Sequence, residues 1–225
     1  MNRSRFTLNM ENVLNQCKIL GVHDNKFQVR NAQISDLKTV YSMIVELAED
    51  LKADVSKDVI LTEDQFMHGF QEGYFQVVVV EKKNLETEDK LPSDVVIKLD
   101  AHLDESLIGK ENDSFVGYAL YVYGYETWHG RTLCLDDIYI RQMYRKTGLG
   151  TYLISILAKI GLENECKSLK WQCLDWNTKA LNFYFNKLKA TEDVQEIKGK
   201  KFKLVNIEME EDDMRDLAAN VWKRS

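Results

Sequence analysis

The chain has 225 residues, 44% of them apolar and 29% charged, with a net charge of −6 at pH 7 and an isoelectric point near 5.4. That length supports one domain with a real core, and the acidic balance disfavours nucleic acid as the main partner, since phosphate backbones are bound by basic surface, while it suits a cationic substrate. No apolar run approaches the roughly 20 residues of a membrane span, and four cysteines (Cys17, Cys134, Cys166, Cys173) with no C-x-x-C and no histidine at ligand spacing argue against structural zinc and for reduced thiols in the cytoplasm.

Residues 1–26 show no clear period and read as an N-terminal extension. Arg3 and Arg5 with no early acid would suit a transit peptide, but Glu11 and the polar run after it argue against one. A strand is predicted at Phe27–Arg30. Leu37, Val40, Tyr41, Ile44, Leu47, Ala48 and Leu51 then recur at helical spacing, with Ser35 or Asp36 available as a cap. Thr62-x-x-Gln65 is a capping box that opens a second helix, and Gly73 ends it. Val77 to Val80 mark a buried strand within residues 74–81.

Residues 82–113 hold the only proline, Pro92, many charges and little periodicity. They read as a surface insertion with one strand-like piece at Asp94–Leu99. Phe115–Tyr123 and Thr132–Ile140 are strands, followed by a glycine-bearing turn and an amphipathic helix over Thr151–Glu165. Ser168–Leu174 is a strand, Asn177 caps a short helix, Phe202–Met209 is the last strand, and the tail beyond Glu210 has helical character. The order β-α-α-β-β-β-α-β-α-β predicts one domain built on a mixed sheet with helices packed against it.

The turn Arg145-Lys146-Thr147-Gly148-Leu149-Gly150 stands between a strand and a helix N-terminus. The first amides of a helix have no intrahelical partner, and the helix dipole adds positive charge there. Glycines let an anion approach the main chain, and Arg145 supplies a charge. The spacing fits neither a P-loop nor a dinucleotide fingerprint, because Leu153 stands where a third glycine is needed. What remains, R-x-x-G-x-G, is either a phosphate cradle or a tight turn whose glycines serve sterics only.

Asp136 and Asp137 are anomalous, since aspartate is depleted in strands. Alternation places them on opposite faces. They are either a buried ion pair or bulge, or a carboxylate that binds a cation or takes a proton. Tyr184 shares a helical face with Leu181 and Leu188, which by periodicity alone makes it a core tyrosine. Trp171 and Trp176 flank a strand end, as core and pocket walls both do.

Taken together, these runs resemble the GCN5-related N-acetyltransferase superfamily, and within it the diamine acetyltransferases and their thialysine-acetylating relatives. The match rests on Val59-Ile60-Leu61-Thr62-Glu63, Gly69-Phe70, Phe115-Val116-Gly117-Tyr118-Ala119, Tyr125-x-x-Trp128-x-Gly130, Leu135-Asp136-Asp137, Tyr144-Arg145-x-x-Gly148-x-Gly150 and Trp176-Asn177-x-x-Ala180-x-Asn182-Phe183-Tyr184. The resemblance implies an α/β fold with a mixed, mostly antiparallel central sheet, helices on both faces and two splayed central strands. It implies an acetyltransferase domain at 27–209, with the insertion at 82–113 and a tail at 210–225.

It further implies acetyl-CoA as cofactor, with its pyrophosphate in Arg145, Lys146, Thr147, Gly148, Leu149, Gly150 and Thr151, and its pantetheine arm along Ile138, Tyr139 and Ile140. Asn177, Lys179 and Ala180 match positions near that arm. Tyr184 matches the proton donor and Asp136 the acid that handles the amine. Asp137, Asp50, Trp171 and Gln172 match positions near the substrate, which is a primary amine on a small polyamine, a diamine or a lysine-like amino acid. A homodimer is implied, and neither nucleic acid nor membrane.

Those residue types suit the chemistry. A primary ammonium has a pKa of about 10 and must lose a proton before it attacks. A carboxylate takes that proton through water, backbone amides stabilise an oxyanion, and a phenol protonates the departing thiolate. The chain also departs from the family. Lys146 replaces a glycine, and Asp136 is one methylene shorter than the usual glutamate. Gly199-Lys200-Lys201-Phe202 lacks the tryptophan that lines a polyamine site, and Glu49-Asp50-Leu51-Lys52 alters the acidic loop. A protein lysine acetyltransferase and a non-catalytic acyl-CoA-binding module are the alternatives.

Overall fold

Strands β1 (Ile19–Val22) and β2 (Asn25–Asn31) form an antiparallel hairpin closed at Val22 and Asn25. The computed structural model describes residues 13–14, 19–22, 25–83, 96–98, 114–195 and 204–222. Residues 1–12, nearly all of the stretch between 84 and 113, and the run Gly199–Phe202 lie outside the described residues, so the expectations placed on them stay there. The described chain divides into two compact units, one comprising residues 14–120 together with 137–150, the other comprising Val13, 121–136 and 151–222.

In the first unit, a 3-10 turn at Ile34–Asp36 leads into helix α1 (Leu37–Asp50), followed by the short α2 (Val55–Asp58) and α3 (Glu63–Gln71). The capping box at α3 is as the sequence predicts: the Gln65 amide donates to Thr62 Oγ1, and the Thr62 amide donates to Gln65 Oε1. Gly73 follows the helix with φ +74°. The strand order is β4-β1-β2-β3-β5-β6, where β3 is Gln76–Lys83, β4 is Val96–Lys98, β5 is Phe115–Glu126 and β6 is Gly130–Ile140; only residues 115–120 of β5 and 137–140 of β6 belong to this unit.

Leu37, Val40 and Met43 of α1, Phe66 of α3, and Val77, Val79, Tyr118 and Tyr139 of the strands form one buried cluster. Its apolar positions alternate along the strands and recur every three or four residues on the helix, the two periods that bury one face of each element. Asp36 anchors the helix start: it accepts from the Gln33 amide at 2.7 Å and pairs with Arg30 at 2.6 Å.

In the second unit, the order is β5-β6-β7-β9-β8, with β7 at Ser168–Leu174, β8 at Thr191–Gln195 and β9 at Leu204–Glu210. Helix α4 (Leu149–Glu163) connects β6 to its parallel neighbour β7. Gly161 of α4 faces Leu133 and Met214, and a Cβ there would come 2.8 Å from Met214 Cε. Met214 belongs to the C-terminal helix, Glu211–Trp222. Between β7 and β8, Thr178–Asn182 form α5, a π-helical turn covers Phe183–Lys187, and the C-terminal helix is α6.

Three elements go beyond the sequence expectation. β1 lies inside the stretch read as an extension. β8 is polar, Thr191-Glu192-Asp193-Val194-Gln195, and ends its strand order, where charged edge strands are the rule. The π-helical turn has no sequence signal. The strand-like piece at Asp94–Leu99 is present as β4, paired parallel to β1.

Candidate active site

The turn after β6 is tied down by its flanks. Arg141 is buried, and its guanidinium donates to both Glu46 oxygens at 2.9 and 3.2 Å and to the Phe115 carbonyl at 2.9 Å. The Tyr139 hydroxyl donates to the same carboxylate at 3.1 Å. Burial, then Glu46 and Asp50, push that phenol up, so it stays protonated. Arg145 donates from Nε to the Ile140 carbonyl at 2.7 Å, pairs with Asp50 through Nη2, and lies 5.4 Å from the Tyr139 ring centroid.

The turn itself folds tightly. Thr147 Oγ1 donates to the Tyr144 carbonyl at 2.7 Å. Lys146 (φ +65°) and Gly148 (φ +90°) take left-handed backbone, after which Leu149 starts α4. Gly148 meets this at little steric cost; Lys146 does not. Thr151, in the first turn of α4, has a buried hydroxyl oxygen with no partner among the described residues. A buried hydroxyl left unpaired beside free helix-end amides is what a phosphate oxygen satisfies, so these residues fit the pyrophosphate of CoA.

In the second unit, one face of the sheet opens into a cleft of about 410 Å³. Register and alternation build it. Cys134 pairs with Lys170 across β6 and β7, Lys170 with Glu208, and Gln172 with Asn206 across β7 and β9. The β6–β7 ladder ends at Cys134 and Lys170, although both strands continue, so the strands splay from there. Asp136, exposed, lies in this opening with Trp171 and Gln172.

Lys170 bridges Glu126 at 2.6 Å and Glu208 at 2.9 Å. Hydrogen bonds from Lys170 and then His129 hold the Glu126 carboxyl below its ordinary range. Gln172 donates to Asn206 at 2.9 Å.

Trp171 is 4% exposed, lines the cleft, and its indole Nε1 has no partner among the described residues. Its ring meets that of Tyr184 edge-on, centroids 5.3 Å apart. Tyr184 sits in the π-helical turn, a geometry frequent at functional sites. Burial, then Cys173, pushes its phenol well up, and the Cys173 thiol is itself raised by burial to about 11. Both groups are neutral at pH 7.

The sequence-expected residues therefore gather in groups. Asp136, Trp171 and Gln172 share the cleft, and Tyr184 abuts Trp171. Tyr139, Ile140, Arg145 and Asp50 cluster at the turn, with the Asp50 carboxylate engaged by Arg145. Asp137 accepts from the Tyr118 hydroxyl at 3.2 Å. Asn177 caps α5 by accepting from the Ala180 amide, and Lys179 is exposed. Sequence reasoning missed Glu126, Lys170, Asn206 and Glu208. The signal was there: Lys170 and Gln172, like Asn206 and Glu208, are polar residues at period two.

Residues 65–188 match the model of the acetyltransferase (GNAT) family. The chain belongs to that family. It is 33% identical over 193 residues to the thialysine N-epsilon-acetyltransferase of Mus musculus, covering 85% of this chain and 96% of the mouse protein. It is 32% identical over 174 residues to the protein of that name from Sus scrofa, covering 76% and 87%.

Solved GNAT structures share the fold. The yncA structure from Salmonella typhimurium, solved with acetyl-CoA, superposes with a TM-score of 0.54 at 14% identity, covering 82% of this chain and 94% of that one. A spermidine N-acetyltransferase chimera from Vibrio cholerae and human sequence gives 0.56 at 12% identity, covering 84% and 98%. The mixed sheet, its splayed strands and the acetyltransferase class are those of this GNAT family. Among the described residues, no helix is long and apolar enough to cross a membrane.

Proposed function

We propose that this protein moves the acetyl group of acetyl-CoA onto a primary amine of a small polyamine, a diamine or a lysine-like amino acid, by direct attack and without a covalent enzyme intermediate. The observation that carries this reading is the cleft itself: an exposed carboxylate, Asp136, where the strands splay, bordered by Trp171, whose buried ring meets a buried, protonated phenol, Tyr184. Two relatives named for thialysine, similar over most of the chain, support an amine substrate.

Acetyl-CoA supplies an activated thioester carbonyl when bound. Residues Arg145, Lys146, Thr147, Gly148, Leu149, Gly150 and Thr151 hold its pyrophosphate, the backbone of Ile138, Tyr139 and Ile140 pairs with its arm, and Asn177, Lys179 and Ala180 flank it. Asp136 draws an ammonium from an acidic protein's surroundings and accepts its proton through water. Trp171 and Gln172 hold the chain of the amine. Tyr184 keeps a proton on its hydroxyl through neutral pH, available to a leaving sulfur. Holding both substrates together supplies much of the rate.

The protein works as a homodimer in the cytoplasm, where Cys134, Cys166 and Cys173, all free, remain reduced. CoA release measured across spermidine, putrescine, thialysine and lysine tests the activity. Transfer to at least one is expected. No transfer to any of them by protein that binds CoA would overturn it, and a lysine-bearing peptide accepted in preference would assign a protein substrate instead.

A further inference from the structure

The cleft carries charges of both signs in a fixed arrangement. Glu126 and Glu208 are each paired to Lys170, which spends two of its three donors on them. Lys170 and Cys134 share one rung of the β6–β7 ladder, and Asp136 lies two residues further along the same face. Two residues along a strand advance the chain by roughly 6.7 Å. An extended lysine side chain spans roughly 6 Å from its α-carbon to its terminal nitrogen, counting five bonds of ordinary length.

We infer that Lys170, held between Glu126 and Glu208, is the specificity-determining residue that receives the zwitterionic end of a lysine-like amino acid, while the side-chain amine reaches Asp136. The carboxylate takes the third Lys170 donor and the α-ammonium takes Glu126 or Glu208. A polyamine offers no carboxylate for that third donor, which it leaves unpaired. This inference rests on the acetyltransferase reading of the same cleft and names which of its candidate amines the site selects.

The test compares lysine with cadaverine, its counterpart without a carboxylate, and with lysinamide. The unaltered enzyme should favour lysine over both in kcat/KM. In Lys170→Met, that preference should fall about tenfold or more, through KM, the size of one lost charge-assisted hydrogen bond. Lys170→Arg should keep it. CoA affinity by calorimetry checks that each variant is folded. A preference untouched by Lys170→Met, or an unaltered enzyme that favours cadaverine, would overturn the assignment. Should the enzyme transfer acetyl to none of the three, the acetyltransferase reading fails separately. Calorimetric titration of lysine into CoA-loaded protein then decides the subsite alone: binding lost in Lys170→Met supports it, and lysine binding that is absent or indifferent to the substitution overturns it.

Discussion

Tyr184 shows how one environment sets a residue's chemistry. Its burial holds the proton on the phenol, and its edge-on contact with Trp171 fixes the ring. Tyr184→Phe keeps the packing and removes the proton, so kcat should fall roughly 100-fold or more while CoA affinity by calorimetry stays put. Unchanged turnover would remove Tyr184 from its role. Periodicity alone made this residue a core tyrosine, which it is by burial. Only the resemblance singled it out, because a buried phenol among apolar neighbours looks like core to any pattern of apolar spacing. Lys146 is the opposite case. Its left-handed backbone is a conformation that glycine adopts at far less cost. Lys146→Gly should relieve strain and raise stability by up to about 1 kcal/mol in thermal melts, yet weaken CoA binding by removing a cation from the phosphate turn.

At the level of elements, Gly117 ties β5 to β6. A Cβ there would collide with the Tyr139 carbonyl oxygen and crowd Ile140. Backbone cannot yield as a side-chain tip can, so Gly117→Ala should cost about 2 kcal/mol or more, read as a lower midpoint in denaturant. Strands and helices with strong periods were legible in advance: α1, the capped α3, β3 and β7 fall within a residue or two of the spacing. β1, β8 and the π-helical turn were not. The first two are edge-side pairings fixed by a neighbour rather than by their own pattern, and the third depends on how the helix end packs. The glycine-bearing turn between strand and helix was legible from sequence because its requirements are local: Gly148 in left-handed backbone and a helix start. The polar period-two positions of β7 and β9 were legible too, but their assembly into the Lys170 cleft was not, since that needs the register of four strands.

Across the molecule as a whole, buried titratable groups bound the pH range of stability. Burial pushes the Asp36 carboxyl up, but the Arg30 guanidinium and the Gln33 amide outweigh it, and the net lies below the ordinary value. A lowered carboxyl stabilises above its unfolded value near 4, and that contribution is lost as pH falls further. At the other end, burial raises the Tyr123 phenol to about 12 and Tyr121 well above its ordinary value. Their contribution is complete below pH 10 and is lost as pH climbs toward 12. For Tyr123 alone it amounts to on the order of 2–3 kcal/mol. Chemical denaturation at stepped pH should therefore show a plateau between about 5 and 10, with a loss on each side; stability that holds steady to pH 12 would contradict it.

The early end of the β6–β7 ladder has one more result. Among the described residues, from Trp171 onward β7 shows its partner on one flank only, β9, so the other flank keeps amides and carbonyls that an extended polypeptide can zip onto. CoA-free preparations should turn cloudy first on warming, and adding the coenzyme should hold them clear.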